Sequence, residues 1–249
     1  MRDIDAEVRK YNISPEAHYN EGLRLYFLKI YTLMSAGLFI TAAAAFSVFS
    51  IPYLTNILFH VTPSGDLVGV TSFGWLITFA PLGISIYFSF GYGTLSANTA
   101  KILFWLYAAL VGMSLASLGF IYTGISIIKT FAICSGTFAS MSLYGYSTKK
   151  DLTSIESFLF MGLVGLILAS LVNIFFRSPA IEFALSIIGV LVFIGLIAFD
   201  TQKLKELYYQ RVAVNDKIGI LAAFTLYLDF LNLFLYLLRF LGTEKENKR

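Results

Sequence analysis

The segment Ile218–Leu241, IGILAAFTLYLDFLNLFLYLLRFL, decides the fold. Its apolar length suits a helix that rises roughly 1.5 Å per residue and must cross a hydrocarbon core of about 30 Å. One carboxylate, Asp229, interrupts it near the middle. A charged carboxylate at mid-bilayer costs at least about 2.5–3.5 kcal/mol on insertion scales, so Asp229 is expected to face protein or water rather than lipid. Thr225, Asp229, Asn232, Tyr236 and Arg239 follow at intervals of 4, 3, 4 and 3 residues and share one helix face, while Leu, Phe and Ala fill the others. This pattern predicts a helix inside a bundle, its stripe turned to a cavity, a partner carboxylate or an ion path. A hydrogen-bonded network with a purely structural role is the alternative.

Working outward, the same reading recurs along the chain. Long apolar runs predict span one at about Tyr31–Phe49, span two at Phe73–Phe90, span three at Ile102–Tyr122 and span four at Lys129–Tyr144. Span five is expected at Ser157–Phe176, span six between Glu182 and Asp200, and span seven at Ile218–Leu241. The 17-residue interior of span six, FALSIIGVLVFIGLIAF, is short, so its helix is expected to extend into flanking residues. Ile51–Gly65, with Pro52, Asn56, His60 and Pro63, reads as a loop. Small residues within spans, as in GLVGLILAS, are expected to let neighbouring helices approach closely. The organisation predicted is an N-terminal segment 1–25, a seven-helix domain 26–242 and a basic tail 243–249.

Composition agrees: 57% of residues are hydrophobic and 13% charged, against about a quarter charged in soluble domains. The polar start MRDIDAEVRKYNISPEAHYNEGLRLY lacks a signal-peptide core and cleavage site, so the first span is expected to direct its own insertion. A net charge of +3 is too small and dispersed for a nucleic-acid partner and reads as a topology signal. With seven spans, Arg2, Arg9, Lys10, Arg24, Lys29, Lys101, Lys149, Lys150, Lys203, Lys205, Arg211 and Lys217 fall on one side, which predicts a cytoplasmic N-terminus. Lys129, Arg177, Arg239, Lys245, Lys248 and Arg249 fall on the other. The basic tail TEKENKR suits the cytoplasm better, and a re-entrant last segment would resolve that conflict.

Asp200, at the end of span six, reads on its own as a solvated helix-end residue with Lys203 as an ion-pair candidate one turn on, and becomes a second acidic candidate when paired with Asp229. Spans six and seven are consecutive and antiparallel, so the two aspartates could approach if Asp229 is reached from the cytoplasmic side or the helices are staggered. Two close carboxylates resist double ionisation and could titrate near neutral pH as a gate, or could bind Ca²⁺ weakly and transiently through hard oxygens. His60 has no second His or Cys near it in the sequence and reads as a loop residue. Glu156 and Glu182 sit at span starts and are expected to satisfy helix N-termini. Asn173 is expected to hydrogen-bond between helices, and the lone Cys134 is expected to be a buried thiol. No nucleophile, zinc, phosphate-loop or redox motif occurs, so neither an enzyme nor a tightly bound cofactor is expected.

The segments SLYGYSTKKDLTSIESFLFMGLVGLILASLVNIF, IAFDTQKLKE and LAAFTLYLDFLNLFLYLLRFLG, with FLKIYTLMSAGLFITAAAAF near the start, resemble the Bax inhibitor family of transmembrane proteins over about Phe27–Gly242. The resemblance implies an all-α fold of seven transmembrane helices in which six surround the last. It implies a pH-sensitive calcium leak gated by an aspartate pair matching Asp200 and Asp229, with Thr225, Asn232, Tyr236 and Arg239 as supporting or pore-lining residues. The compact chain looks like a bacterial member of the inner membrane. Bacterial relatives place in span two an arginine that latches onto the span-six aspartate, yet no Arg or Lys stands between Lys29 and Lys101 here, so Lys203 or a loop lysine would have to serve. Expected partners are the bilayer, Ca²⁺ and protons. The alternatives are a non-transporting regulator that binds membrane proteins such as a membrane protease, and a cation/proton exchanger.

Overall fold

The computed structural model describes residues 15–91, 95–210 and 216–245. Helix α1 (Pro15–Ser50) leads into α2 (Pro52–Leu58), a hairpin of β1 (Phe59–Val61) and β2 (Leu67–Val70), and α3 (Ser72–Gly91). After α4 (Ala97–Leu115) and the short α5 (Leu118–Ile121) come α6 (Gly124–Ser147), α7 (Glu156–Phe176), α8 (Pro179–Tyr209) and α9 (Asp216–Leu241). Among the described residues six helical stretches, in α1, α4 with α5, α6, α7, α8 and α9, are long and apolar enough to cross a membrane, which makes this a multi-pass membrane protein. The apolar stretch of α3, Ser72–Phe88, is shorter and carries Pro81.

Caps explain where several helices begin. Ser96 accepts a hydrogen bond from the Thr99 amide and Thr123 from that of Ser126, so α4 and α6 start ahead of the expected Ile102 and Lys129. Ser178 caps α8 in the same way, with Pro179 in its first turn. At the other end α8 does not stop at Asp200 but runs on to Tyr209, because the amphipathic TQKLKELYY continues the helix after hydropathy has fallen. Helix α1 begins at Pro15, ahead of the boundary expected at residue 25. Residues 1–14 with Arg2, Arg9 and Lys10, the stretch holding Arg211, and the tail residues Lys248 and Arg249 lie outside the described residues.

The segment expected as a loop, 51–65, is instead helix α2 followed by the first strand of an antiparallel hairpin. Val61, Leu67, Val68 and Val70 flank the turn Pro63-Ser64-Gly65-Asp66, a strand signal that the prolines masked. Gly65 takes a positive φ of 91°, which favours glycine at that turn.

Helix α9 is the most buried of the long helices, with 67% of its apolar window covered against 33% or less elsewhere. It packs on α8, α1, α6 and α4, and runs unbroken with no re-entrant turn. Phe224 stacks on Phe88 of α3 at 4.6 Å and meets Phe104 and Tyr107 of α4 edge-on. Tyr227 is fully buried, and its hydroxyl lies 2.7 Å from that of Thr41, which reaches the Ala108 carbonyl at 2.9 Å. This network ties α9, α1 and α4 together.

Helices approach most closely at single glycines. A Cβ on Gly145 of α6 would lie 2.2 Å from the Ala198 carbonyl oxygen of α8, and one on Gly189 of α8 would lie 2.5 Å from the Tyr236 ring of α9. In GLVGLILAS, a Cβ on Gly162 would lie 3.0 Å from Val192 while one on Gly165 would meet open space, so that motif contributes less than expected.

Candidate functional site

Asp200 and Asp229 meet across the α8–α9 interface. Asp229 lies about 20 Å along α9 from its first residue, and Asp200 about 13 Å inward from the end of α8 at roughly 1.5 Å per residue. The continuation of α8 to Tyr209 sets Asp200 inside that helix rather than at its end, and the two carboxyl groups come within hydrogen-bonding range of each other. Asp229 is buried, and its Oδ2 has no hydrogen-bond partner. Leaving a buried polar atom unpaired costs about 1–3 kcal/mol, and more for a charged group.

The rest of the stripe divides. Tyr236 stacks on Phe193 of α8 with ring centroids 5.7 Å apart and covers Gly189, so this face of α9 does turn toward α8. Asn232 is half-buried and its amide donates to the Leu228 carbonyl of its own helix. Thr225 and Arg239 are exposed, so only the middle of the stripe lies inside the bundle. The Arg239 guanidinium sits 5.8 Å from the centre of the Tyr236 ring.

Lys203 does not serve as the counter-ion expected for Asp200. Its ammonium pairs with Glu156 at the start of α7, at 3.1 Å, and lies over the Phe199 ring. Among the described residues neither aspartate forms an ion pair. No group of three or more His, Cys, Asp or Glu side chains that could hold a metal occurs among them either, so the two carboxylates would have to act on a cation alone. His60 is exposed on β1 rather than in a loop. Glu156 and Glu182 stand in the first turns of α7 and α8, as expected. Asn173 works locally rather than between helices: its Oδ1 accepts from the Ser178 amide at 3.0 Å and closes the turn at Arg177.

Around the aspartates lies a polar framework that the sequence did not reveal. Tyr31 of α1 hydrogen-bonds to Ser142 of α6, which lies 3.0 Å from the hydroxyl of Thr201 on α8. Gln202 clasps the connection between α6 and α7: its Oε1 accepts from the Leu152 amide and its Nε2 donates to the Lys150 carbonyl, both at 2.8 Å. Lys205 donates to the Tyr146 carbonyl at 2.6 Å. Within that connection, two hydrogen bonds from Thr153 hold the Asp151 carboxyl below its ordinary pKa. The segments YGYSTKKDL and FDTQ thus interlock residue by residue. Gln202→Leu is expected to release Lys149–Leu152 and speed tryptic cleavage at Lys149 and Lys150 about tenfold, read on gels of the purified protein.

The family model described as "Inhibitor of apoptosis-promoting Bax1" matches residues 23–246. The chain is similar to protein RP147 of Rickettsia prowazekii (strain Madrid E), 53% identical over 232 residues that cover 92% of this chain and 93% of that protein. It is similar to inner membrane protein YbhL of Escherichia coli (strain K12), 42% identical over 229 residues, covering 90% and 94%. A Caulobacter vibrioides protein is 42% identical over 231 residues, covering 90% and 91%. A match over nearly the whole chain, with motif segments that meet in space, places this multi-pass membrane protein in the Bax inhibitor family.

Proposed function

We propose that this protein is a passive, proton-regulated calcium leak of a bacterial inner membrane, with Asp200 and Asp229 as its gate. The observation that carries the reading is the buried, unpartnered Oδ2 of Asp229 set against a second carboxyl. A carboxyl there is expensive, and apolar helix packing alone gives no reason to keep one.

In this reading α3 makes a seventh crossing, and α9 stands at the centre of the other six. The end of the bundle carrying Lys29, Lys101, Lys150, Lys203 and Lys205 faces the cytoplasm, as an excess of basic residues favours. The name of the E. coli relative supports the inner membrane. A hydrogen bond between two carboxyls needs one proton. The closed interface keeps that proton, and a change in protonation alters the attraction between α8 and α9. Parting them exposes Asp229, Asn232 and Tyr236 as a polar route, and the two carboxylates give passing Ca²⁺ hard oxygen ligands for a moment.

The test is calcium flux into dye-loaded liposomes across pH 5–9. Wild type is expected to exceed empty liposomes at least about tenfold at its optimum, with a pH dependence. Flux equal to empty liposomes at every pH would reject the leak and favour a regulator that binds other membrane proteins. Counter-transport of protons in step with Ca²⁺ would replace the leak with an exchanger.

A further inference from the structure

Helices α1 and α6 make almost no backbone approach to each other, yet both pack on α9. The gap between them is a lateral trough. Its wider part has a volume of about 940 Å³ and runs from Arg24 to Ala42 on one wall and from Phe131 to Tyr146 on the other. A second part of about 490 Å³ continues it from Leu38 to Phe49 and ends at Lys245. The two share Leu38, Ala42, Phe131 and Phe230, so they form one channel along the bundle flank, floored by α9. The lining is almost wholly apolar, and a cation stands at each end.

The dimensions say what fits. At roughly 1.5 Å per residue, Arg24 and Ala42 lie about 27 Å apart along α1, close to the hydrocarbon thickness of one bilayer. Spread over that length, 940 Å³ makes a slot that is long for its width. A flexible hydrocarbon chain suits such a long, apolar slot. The charges agree: Arg24 is exposed and its only ion pair among the described residues is an exposed one with Glu21, a type worth about 0–1 kcal/mol. Its guanidinium is therefore available to a phosphate, with which it can form parallel hydrogen bonds. At the far end Lys245 lies over the Phe49 ring and donates to the Gly119 carbonyl.

We propose that this trough is a binding site for one anionic phospholipid, its phosphate at Arg24 and its acyl chains along the cleft between α1 and α6. The site is independent of the leak, and neither reading requires the other.

Protein reconstituted into vesicles of equal phosphatidylglycerol and phosphatidylcholine, then extracted in mild detergent, would be weighed by native mass spectrometry. Wild type is expected to retain one phosphatidylglycerol, at least about tenfold over phosphatidylcholine. Arg24→Gln, a change at an exposed side chain, is expected to abolish that preference. Ala42→Trp, which fills both parts of the trough, is expected to lose the retained lipid of either kind. Should Ala42→Trp fail to fold, Arg24→Gln decides alone. Retention of both lipids equally by wild type, no retained lipid, or an unchanged preference in Arg24→Gln would overturn the proposal.

Discussion

Asp229→Asn is expected to hold calcium flux in liposomes at a low, pH-independent level, at least about tenfold below the wild-type optimum, without lowering the melting temperature in detergent. The carboxyl pair makes its mutual hydrogen bond only while one proton is present. An asparagine amide donates to an ionised Asp200 and accepts from a protonated one, so a hydrogen bond is kept at every pH, and one to a charged group is worth about 1.5–3 kcal/mol. The substitution also makes the buried oxygen that has no partner in the wild-type chain part of a neutral amide, which costs less to leave unpaired than a carboxylate. A locked α8–α9 interface would therefore be at least as stable as the native one and insensitive to protons. If the carboxyl is instead only a strut, the same variant would melt earlier and leave flux and its pH dependence intact. Flux and melting temperature measured on one preparation separate the two roles.

The second large effect concerns packing, where one chemical change is expected to have opposite signs at two positions of α6. At Gly145 a Cβ would meet the Ala198 carbonyl oxygen at 2.2 Å, and backbone of a packed helix cannot swing aside. Gly145→Ala must push α6 from α8, an overpacking of a kind that costs about 1–3 kcal/mol. At Gly136 nothing lies within 4 Å, so Gly136→Ala meets no clash and gains about 0.5–1 kcal/mol from reduced backbone freedom in the unfolded chain. Thermal unfolding in detergent is expected to show Gly145→Ala below wild type and Gly136→Ala at or above it. Equal melting temperatures for the two would refute the close α6–α8 contact, and with it the support beneath Asp200.

Much of this arrangement could be read from residue order, since hydropathy reports the solvent a segment requires. It placed six long helices, although α1 begins 16 residues before and α8 ends nine residues after the expected bounds, and it marked Asp229 through the cost of a carboxyl in an apolar run. Hydropathy does not report where a helix stops, which is why Asp200 reads as a terminal residue although α8 carries on to Tyr209. It is equally silent about partners. Tyr227 looks like one more aromatic in an apolar stretch, and only the fold brings Thr41 to its hydroxyl across 186 positions of sequence. Lys203 sits at the right spacing for Asp200 but turns to Glu156, because α7 delivers a carboxylate on its exposed side. The stripe on α9 followed from periodicity, yet periodicity gives an angle and not a depth, so the exposure of Thr225 and Arg239 was not visible in it.

Within five residues, α8 grips its surroundings in four directions. Ala198 rests against Gly145, Asp200 faces Asp229, Thr201 reaches Ser142 and Gln202 holds the 150–152 backbone. Turning the helix by a single residue, about 100° at 3.6 residues per turn, would break all four grips together. Spinning on its axis is therefore closed to α8, and so is sliding past α6. The displacement left to it is a tilt as one slab with α6 and its connecting loop, pivoting as a door does against the post formed by α9.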